Sequence, residues 1–425
     1  MADAFLALAP PSAWPGAAGD LLRLDGLTAL LLPYALAVQL AVALAAPRRE
    51  FRRPEAAGFL VASAATCALF LTANPAALVA LWAVTAALTW RSVRSSPGGG
   101  PAARIYAVAM VPATALVAAG AWLLARPGPG SEAGAWLVAV AVMIRKGIVP
   151  FHSWYPALFR GAPMSAALGA TMPQVAAYTA IRLLVGRPEG AAPLEFLAVA
   201  ALVTCAYGAA LAIPQREVRG MVGMLAMSQS ALVLAGLAGS TPAELCGALA
   251  VWVSSGLALT GIALAAWALE SRAGALRLDS PQGRFADAPA LAALFLLLGL
   301  AAIGLPGTLS FVADDLIVSG SFDHRLGAGL LTIASTVLAG IAVMRAWFML
   351  FGGAAPAGGP PHPLLRRERA ALLGILAVLV LLGMFPGPFV RATERAASGI
   401  LAAAGAPGAD ATAPETARTQ GEHHQ

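Results

Sequence analysis

At 425 residues, with 59% hydrophobic and 11% charged side chains and a mean hydropathy of +0.77, the chain is too apolar for a water-soluble globular domain. Repeated apolar runs of roughly 17–25 residues mark instead a helical protein that crosses a membrane many times. The formal net charge of +6 sits mostly on arginines in connecting loops, and no basic stripe interleaved with aromatics points to nucleic acid. In chain order, twelve apolar spans are expected at roughly 27–46, 57–74, 76–93, 104–125, 135–151, 164–185, 193–213, 221–239, 244–269, 288–320, 326–351 and 369–390. Ahead of them, residues 1–26 are proline-rich and carry no basic segment, so no cleavable signal peptide is expected. Residues 27–391 make one membrane domain, and residues 392–425 read as a disordered tail, most clearly from Gly405 onward.

Arginines of the connecting loops set the expected orientation. Loops after odd-numbered spans hold Arg48, Arg49, Arg52 and Arg53; Arg91 and Arg94; Arg160; Arg216 and Arg219; Arg272, Arg277 and Arg284; and Arg366, Arg367 and Arg369. Loops after even-numbered spans hold little beyond Arg187 and Arg325. By the positive-inside rule the odd loops face the cytoplasm and both termini lie outside it, in a multi-pass protein of the inner membrane. Cys67, Cys205 and Cys246 lie scattered in apolar runs, and Glu422-His423-His424 is too short to argue for metal. Neither metal nor cofactor is expected.

Lys146 is the only lysine in the chain. It ends an apolar run and leads into Gly147-Ile148-Val149-Pro150-Phe151-His152-Ser153-Trp154-Tyr155-Pro156. Arginine stays charged under biological conditions, whereas a desolvated lysine can release its proton. A chain that uses arginine everywhere else but lysine here fits a residue that changes charge; Arg-favouring codon usage with one leftover lysine is the plain alternative. Pro150 interrupts the fifth span, and Gly304-Leu305-Pro306-Gly307 interrupts the tenth. One broken helix in each half points to an inverted repeat with an ion path at the breaks, against two ordinary proline kinks.

The stretch from Lys146 to Pro156, with Gly161-Ala162-Pro163-Met164-Ser165-Ala166, Tyr178 and Arg182, resembles the signature of the proton-conducting antiporter-like membrane subunits. That family occurs in respiratory complex I, Mrp-type cation/proton antiporters, membrane-bound hydrogenases and inorganic-carbon uptake systems. Leu24-Asp25-Gly26-Leu27 is similar to the entry to the family's third helix, and Glu217-Val218-Arg219 with Met227-Ser228-Gln229 to a further family stretch. Ala302 to Asp315 resembles the family's second broken helix. The resemblance implies an all-α fold of about twelve transmembrane helices, with a proton path through Lys146 as carrier, Asp314 as its counterpart and His152, which lies with Trp154 at the half-helix junction. It also implies a translocase subunit without a catalytic centre of its own, working beside other subunits: a redox module or a carbonic-anhydrase-like partner. Protons, and in some members Na+, would be the cargo.

Three departures stand out. Trp82 is followed by Ala83-Val84-Thr85, where the family has a glutamate that pairs with the lysine. The family's next basic position falls between Gly169 and Gln174, where nothing ionises. Cys246, Trp252, Ser254 and Ser255 occupy the helix where the family carries His and Lys. Polar links between Lys146 and Asp314 are then left to Ser165, Thr171, Gln174, Thr204, Ser228, Gln229, Ser254, Ser255 and Thr260, with Asp315 beside Asp314. Adjacent residues on a helix point about 100° apart, so at most one of Asp314 and Asp315 faces a given path. Two other readings remain open: a non-conducting scaffold that docks a catalytic partner, and a stand-alone cation/proton antiporter.

Overall fold

The computed structural model describes residues 22–48, 51, 53–126, 128–237, 242–322, 326–354 and 363–403. The predicted N-terminal segment up to residue 21, Arg49, Arg52, Arg325 and the tail beyond residue 403 lie outside the described residues. Sixteen α-helices account for nearly all of the rest, and no strand forms among the described residues. They are α1 (Gly26–Ala45), α2 (Arg53–Phe70), α3 (Pro75–Ser95), α4 (Gly100–Leu124), α5 (Gly130–Lys146), α6 (Trp154–Gly161), α7 (Met164–Thr171) and α8 (Val175–Leu183). The second half adds α9 (Ala191–Ala212), α10 (Val218–Leu237), α11 (Pro242–Ala273), α12 (Pro289–Ala302), α13 (Leu309–Phe322), α14 (Leu326–Phe351), α15 (Arg366–Met384) and α16 (Gly387–Ala403).

Every expected span contains helix, but they differ in how they would cross a bilayer. Among the described residues seven helices are long and apolar enough on their own, and eight if α15 and α16, bent by 85°, count as one. Two of the rest, α2 and α12, are shorter apolar helices, and the others are pieces of broken spans. Burial sorts the long helices by position. The span windows of α10 and α11 are 94% and 100% buried, so they form the centre, whereas α4 and α14 each keep a broad apolar face outward, with a third of the window buried.

Local chemistry sets the helix ends. Asp25 caps α1 by accepting from the Thr28 N–H at 2.9 Å, and Asn74 caps α3 through the N–H groups of Ala76 and Ala77. Gly147 closes α5 in the left-handed region (φ +68°), with its N–H on Ile144 O and that of Ile148 on Met143 O. A side chain there would be strained and would strike Tyr155 at 2.8 Å.

Three expectations are corrected. The fifth span is interrupted as expected, but its helix does not reach residue 151: it stops at Lys146, ahead of Pro150, and the chain turns through residues 147–153 before α6 begins. The sixth span is not continuous, because Met172-Pro173-Gln174 separates α7 from α8, with Gln174 itself left-handed (φ +54°). Residues 392–403 are no disordered tail; they belong to α16, which buries Phe389, Ala396, Ala397 and Ile400 and packs on α1 and α11. The break at Gly304 to Gly307 is where the sequence placed it, with both glycines at positive φ.

One ion pair ties the first helix to the broken sixth span. Arg182 of α8 donates to both oxygens of Asp25, at 2.6 and 3.1 Å, and to the Tyr178 hydroxyl at 2.8 Å. Tyr178 in turn donates to the Phe70 carbonyl at 2.8 Å. Burial of Asp25 opposes its ionisation, but the Arg182 guanidinium and the Thr28 N–H outweigh it and hold the carboxyl below the usual carboxylate range. This pair therefore stabilises the fold in full above about pH 4 and stops doing so as pH falls through the lower folded value. Asp25→Asn, which can still cap the helix, is expected to lower the thermal midpoint at pH 7 and to flatten its decline between pH 5 and 3. Parallel midpoint curves for the two proteins in detergent would contradict this role.

Candidate functional site

Lys146 is 2% exposed, at the last position of α5. Its position in the last turn suits a cation, because the helix dipole is negative there. Its Nζ donates to Oε1 of Gln174, the residue that ends the break between α7 and α8. Two helix breaks thus meet in one contact. No carboxylate lies within ion-pair distance of Lys146 among the described residues, so its partner is a neutral amide.

Backbone groups freed by the breaks are taken up by neighbouring side chains. Trp154 Nε1 donates to Ile144 O at 2.8 Å, and the Val149 N–H donates to the Thr204 hydroxyl at 3.1 Å. Tyr34 of α1 donates to Met172 O at 2.7 Å. Such bonds let irregular backbone persist at membrane depth, where an unsatisfied group costs several kcal/mol. His152 is engaged elsewhere: its Nε2 lies 3.5 Å from the Tyr207 hydroxyl on α9, and the two rings meet edge to face.

In the second half, Asp314 folds back over the other break. A Cβ on Gly304 would sit 2.7 Å from Asp314 Oδ2, so only glycine lets the carboxylate come this close. Asp315, its neighbour, is exposed. Between Asp314 and the first break lies a small polar cluster from three helices. The Cys205 thiol donates to Ser335 Oγ at 3.1 Å and lies 3.5 Å from Ser228 Oγ, and Ser228 donates to Cys205 O at 2.8 Å. The Asp314 carboxylate is within electrostatic range of that thiol.

The expected polar residues separate accordingly. Gln174, Thr204 and Ser228 take part in contacts that join helices. Ser254, Ser255 and Thr260 donate to carbonyls of their own helix, α11, and Thr171 to one of α7. Gln229 is buried in α10, and Ser165 is buried and lines a cavity that neither Lys146 nor Gln174 lines. Three participants were not singled out in the sequence. Cys205 and Ser335 lie 130 residues apart and only the packing of α9 against α14 brings them together. Arg145 is the third: 8% exposed, it donates to Trp82 O at 2.8 Å and to Thr85 Oγ1 at 2.7 Å, with its guanidinium 4.4 Å above the Trp82 ring. It fills the neighbourhood of Trp82 where the resemblance leads one to look for a glutamate. The signal was available, since Arg145 directly precedes the lone lysine inside an apolar run.

Residues 115–341 match the family described as NADH:quinone oxidoreductase/Mrp antiporter, TM. Among curated relatives, subunit M of the NADH-quinone oxidoreductase of Pseudomonas aeruginosa is 27% identical over 264 residues, which is 60% of this chain and 50% of that one. Subunit 13 of the Thermus thermophilus enzyme is 29% identical over 250 residues, 57% of this chain and 52% of that one. The chain spans about half the length of the curated relatives it matches. In three dimensions it is similar to a chain of the Mrp complex from Dietzia sp., with a TM-score of 0.81, 18% identity and coverage of 89% of this chain and 84% of that one. A chain of respiratory complex I from Thermus thermophilus gives a TM-score of 0.80, 23% identity and coverage of 89% and 86%. These structural likenesses establish a shared fold.

Gln174→Leu keeps the volume at the break but removes the acceptor, leaving the Lys146 ammonium buried without a polar partner. It is expected to destabilise the protein by about 1–3 kcal/mol. Thermal or denaturant unfolding in detergent checks this, and a variant as stable as the parent would show that Lys146 does not depend on the amide.

Proposed function

The chain belongs to the NADH:quinone oxidoreductase/Mrp antiporter transmembrane family, and on that footing we propose that it moves protons across the inner membrane within a larger energy-coupling complex. In this reading Lys146 alternately holds and releases a proton, and the proton passes by water and the Thr204, Ser228, Cys205 and Ser335 groups toward Asp314. The driving event lies in another subunit: a redox reaction, movement of a second cation, or hydration of CO2. The arginine-rich loops face the cytoplasm and both termini face outward.

The observation that carries the reading is a lone, buried lysine whose only side-chain partner among the described residues is the neutral amide of Gln174. A carboxylate partner locks a lysine in its charged form, whereas an amide imposes no such lock and leaves the proton free to come and go. A buried lysine inside a span costs roughly 2.5–3.5 kcal/mol on insertion scales, so one kept there is seldom idle. A second reading, a scaffold that docks a catalytic partner without conducting, draws on Arg145: a fixed cation beside the path opposes passage of positive charge.

Proton uptake into inverted vesicles holding the assembled complex separates the two. A conducting chain loses uptake on the order of 100-fold or more with both Lys146→Ala and Lys146→Arg, because arginine keeps the charge but does not give up its proton. Asp314→Asn is expected to impair uptake in the same assay. Parental uptake in both lysine variants would leave only the scaffold.

A further inference from the structure

Beside α5, on the side where α6 ends with Arg160 and α10 begins with Arg219, a cavity of about 790 Å³ opens between α2, α3 and α7. Its mouth is formed by exposed Ser95, Gly98, Glu55 and Arg160. Its depth is lined by buried Gln39, Thr85, Thr89, Ser165 and Arg145. We propose that this cavity binds a small monovalent inorganic anion, held at its inner end by Arg145. The proposal does not depend on whether Lys146 conducts.

Three observations converge on Arg145. First, its protein partners are all neutral: a carbonyl, a hydroxyl and an indole face. No carboxylate lies within ion-pair distance of it among the described residues. Arginine cannot shed its proton to escape the cost of burial, so the charge has to be met by something in reach. Second, the two bonds to Trp82 and Thr85 use only part of the guanidinium's five N–H donors, and the side chain lines the cavity.

Third, the charges around the cavity leave a positive balance. Arg219, which also lines the cavity, is neutralised by its ion pair with Glu270 at 2.8 Å, and Glu55 at the mouth stands against both Arg145 and Arg160. An anion at the inner end meets a cation in a medium of low dielectric, where the attraction is several times that in water. A single guanidinium suits one unit of negative charge, and the Glu55 carboxylate at the entrance disfavours ions of higher charge. The buried Ser165 hydroxyl and Gln39 amide supply further donors at that depth. Cations and hydronium, by contrast, meet a fixed positive charge at the end of the cavity.

The test uses the full chain, purified in detergent, with chloride or nitrate replacing gluconate at constant ionic strength. The expected result is a saturable rise of a few degrees in the thermal midpoint of the parent protein, by mass action on the folded state. R145Q should lose this rise, R145K should keep it with weaker half-saturation, and R126Q, whose arginine stacks on Trp122 and does not line the cavity, should match the parent. A parent protein without a saturable anion-specific rise, or an R145Q variant that retains it, overturns the proposal. If R145Q does not fold, bromide in crystals of the parent protein decides: an anomalous peak beside Arg145 supports the site, and its absence removes it.

Discussion

In a hydrocarbon medium every backbone N–H and C=O must find a partner inside the protein, and each helix break releases several of them at once. The arrangement around Lys146 follows from that demand. Trp154, Thr204 and Tyr34 are committed to carbonyl and amide groups that the breaks leave open. Because those three side chains come from the far side of one break and from two other helices, the irregular stretches are stitched to their surroundings. The polar interior of this otherwise apolar protein is therefore in large part a by-product of interrupting helices, and the ionisable groups sit where the stitching already supplies polar company.

Which of these features could be read in advance depended on how local their signals were. The Gly304-to-Gly307 break is encoded in three helix-breaking residues in a row of four, and Lys146 announces itself as the sole lysine. A single proline within an expected span, as at Pro173, reads equally well as a kink, and only the left-handed Gln174 turns it into a separation of two helices. Residues 392–403 carry Arg391, Glu394 and Arg395 close by and a high share of alanine and glycine, a composition shared by tails and by amphipathic helices. Its burial against α1 decides the matter. Arg145 was hidden by abundance: one arginine among many draws no attention, even beside the lysine. The Cys205–Ser335 contact has no local signature at all, since it exists only through the packing of α9 on α14.

Arg145 and Lys146 also show how one helix end can serve two purposes. Neighbours on a helix diverge by about 100°, so the guanidinium turns toward α3 while the ammonium turns toward the gap between α7 and α8. Both share the favourable negative end of the α5 dipole. The two cations are thus kept apart laterally, although they are adjacent in the chain, and the electrostatic conditions on the two faces can differ.

The clamp formed by Asp25, Arg182 and Tyr178 gives α8 the character of a strut. It is nine residues long, roughly 13 Å. Its far end is pinned to α1 and to the end of α2, while its near end begins at the amide that holds Lys146. With one end unable to yield, any displacement at Gln174 has to be absorbed by the short turn at Met172 and Pro173. The lever is therefore stiff on the outside and hinged beside the lysine, so a mechanical disturbance at the ammonium stays within that hinge and is not spread through the bundle.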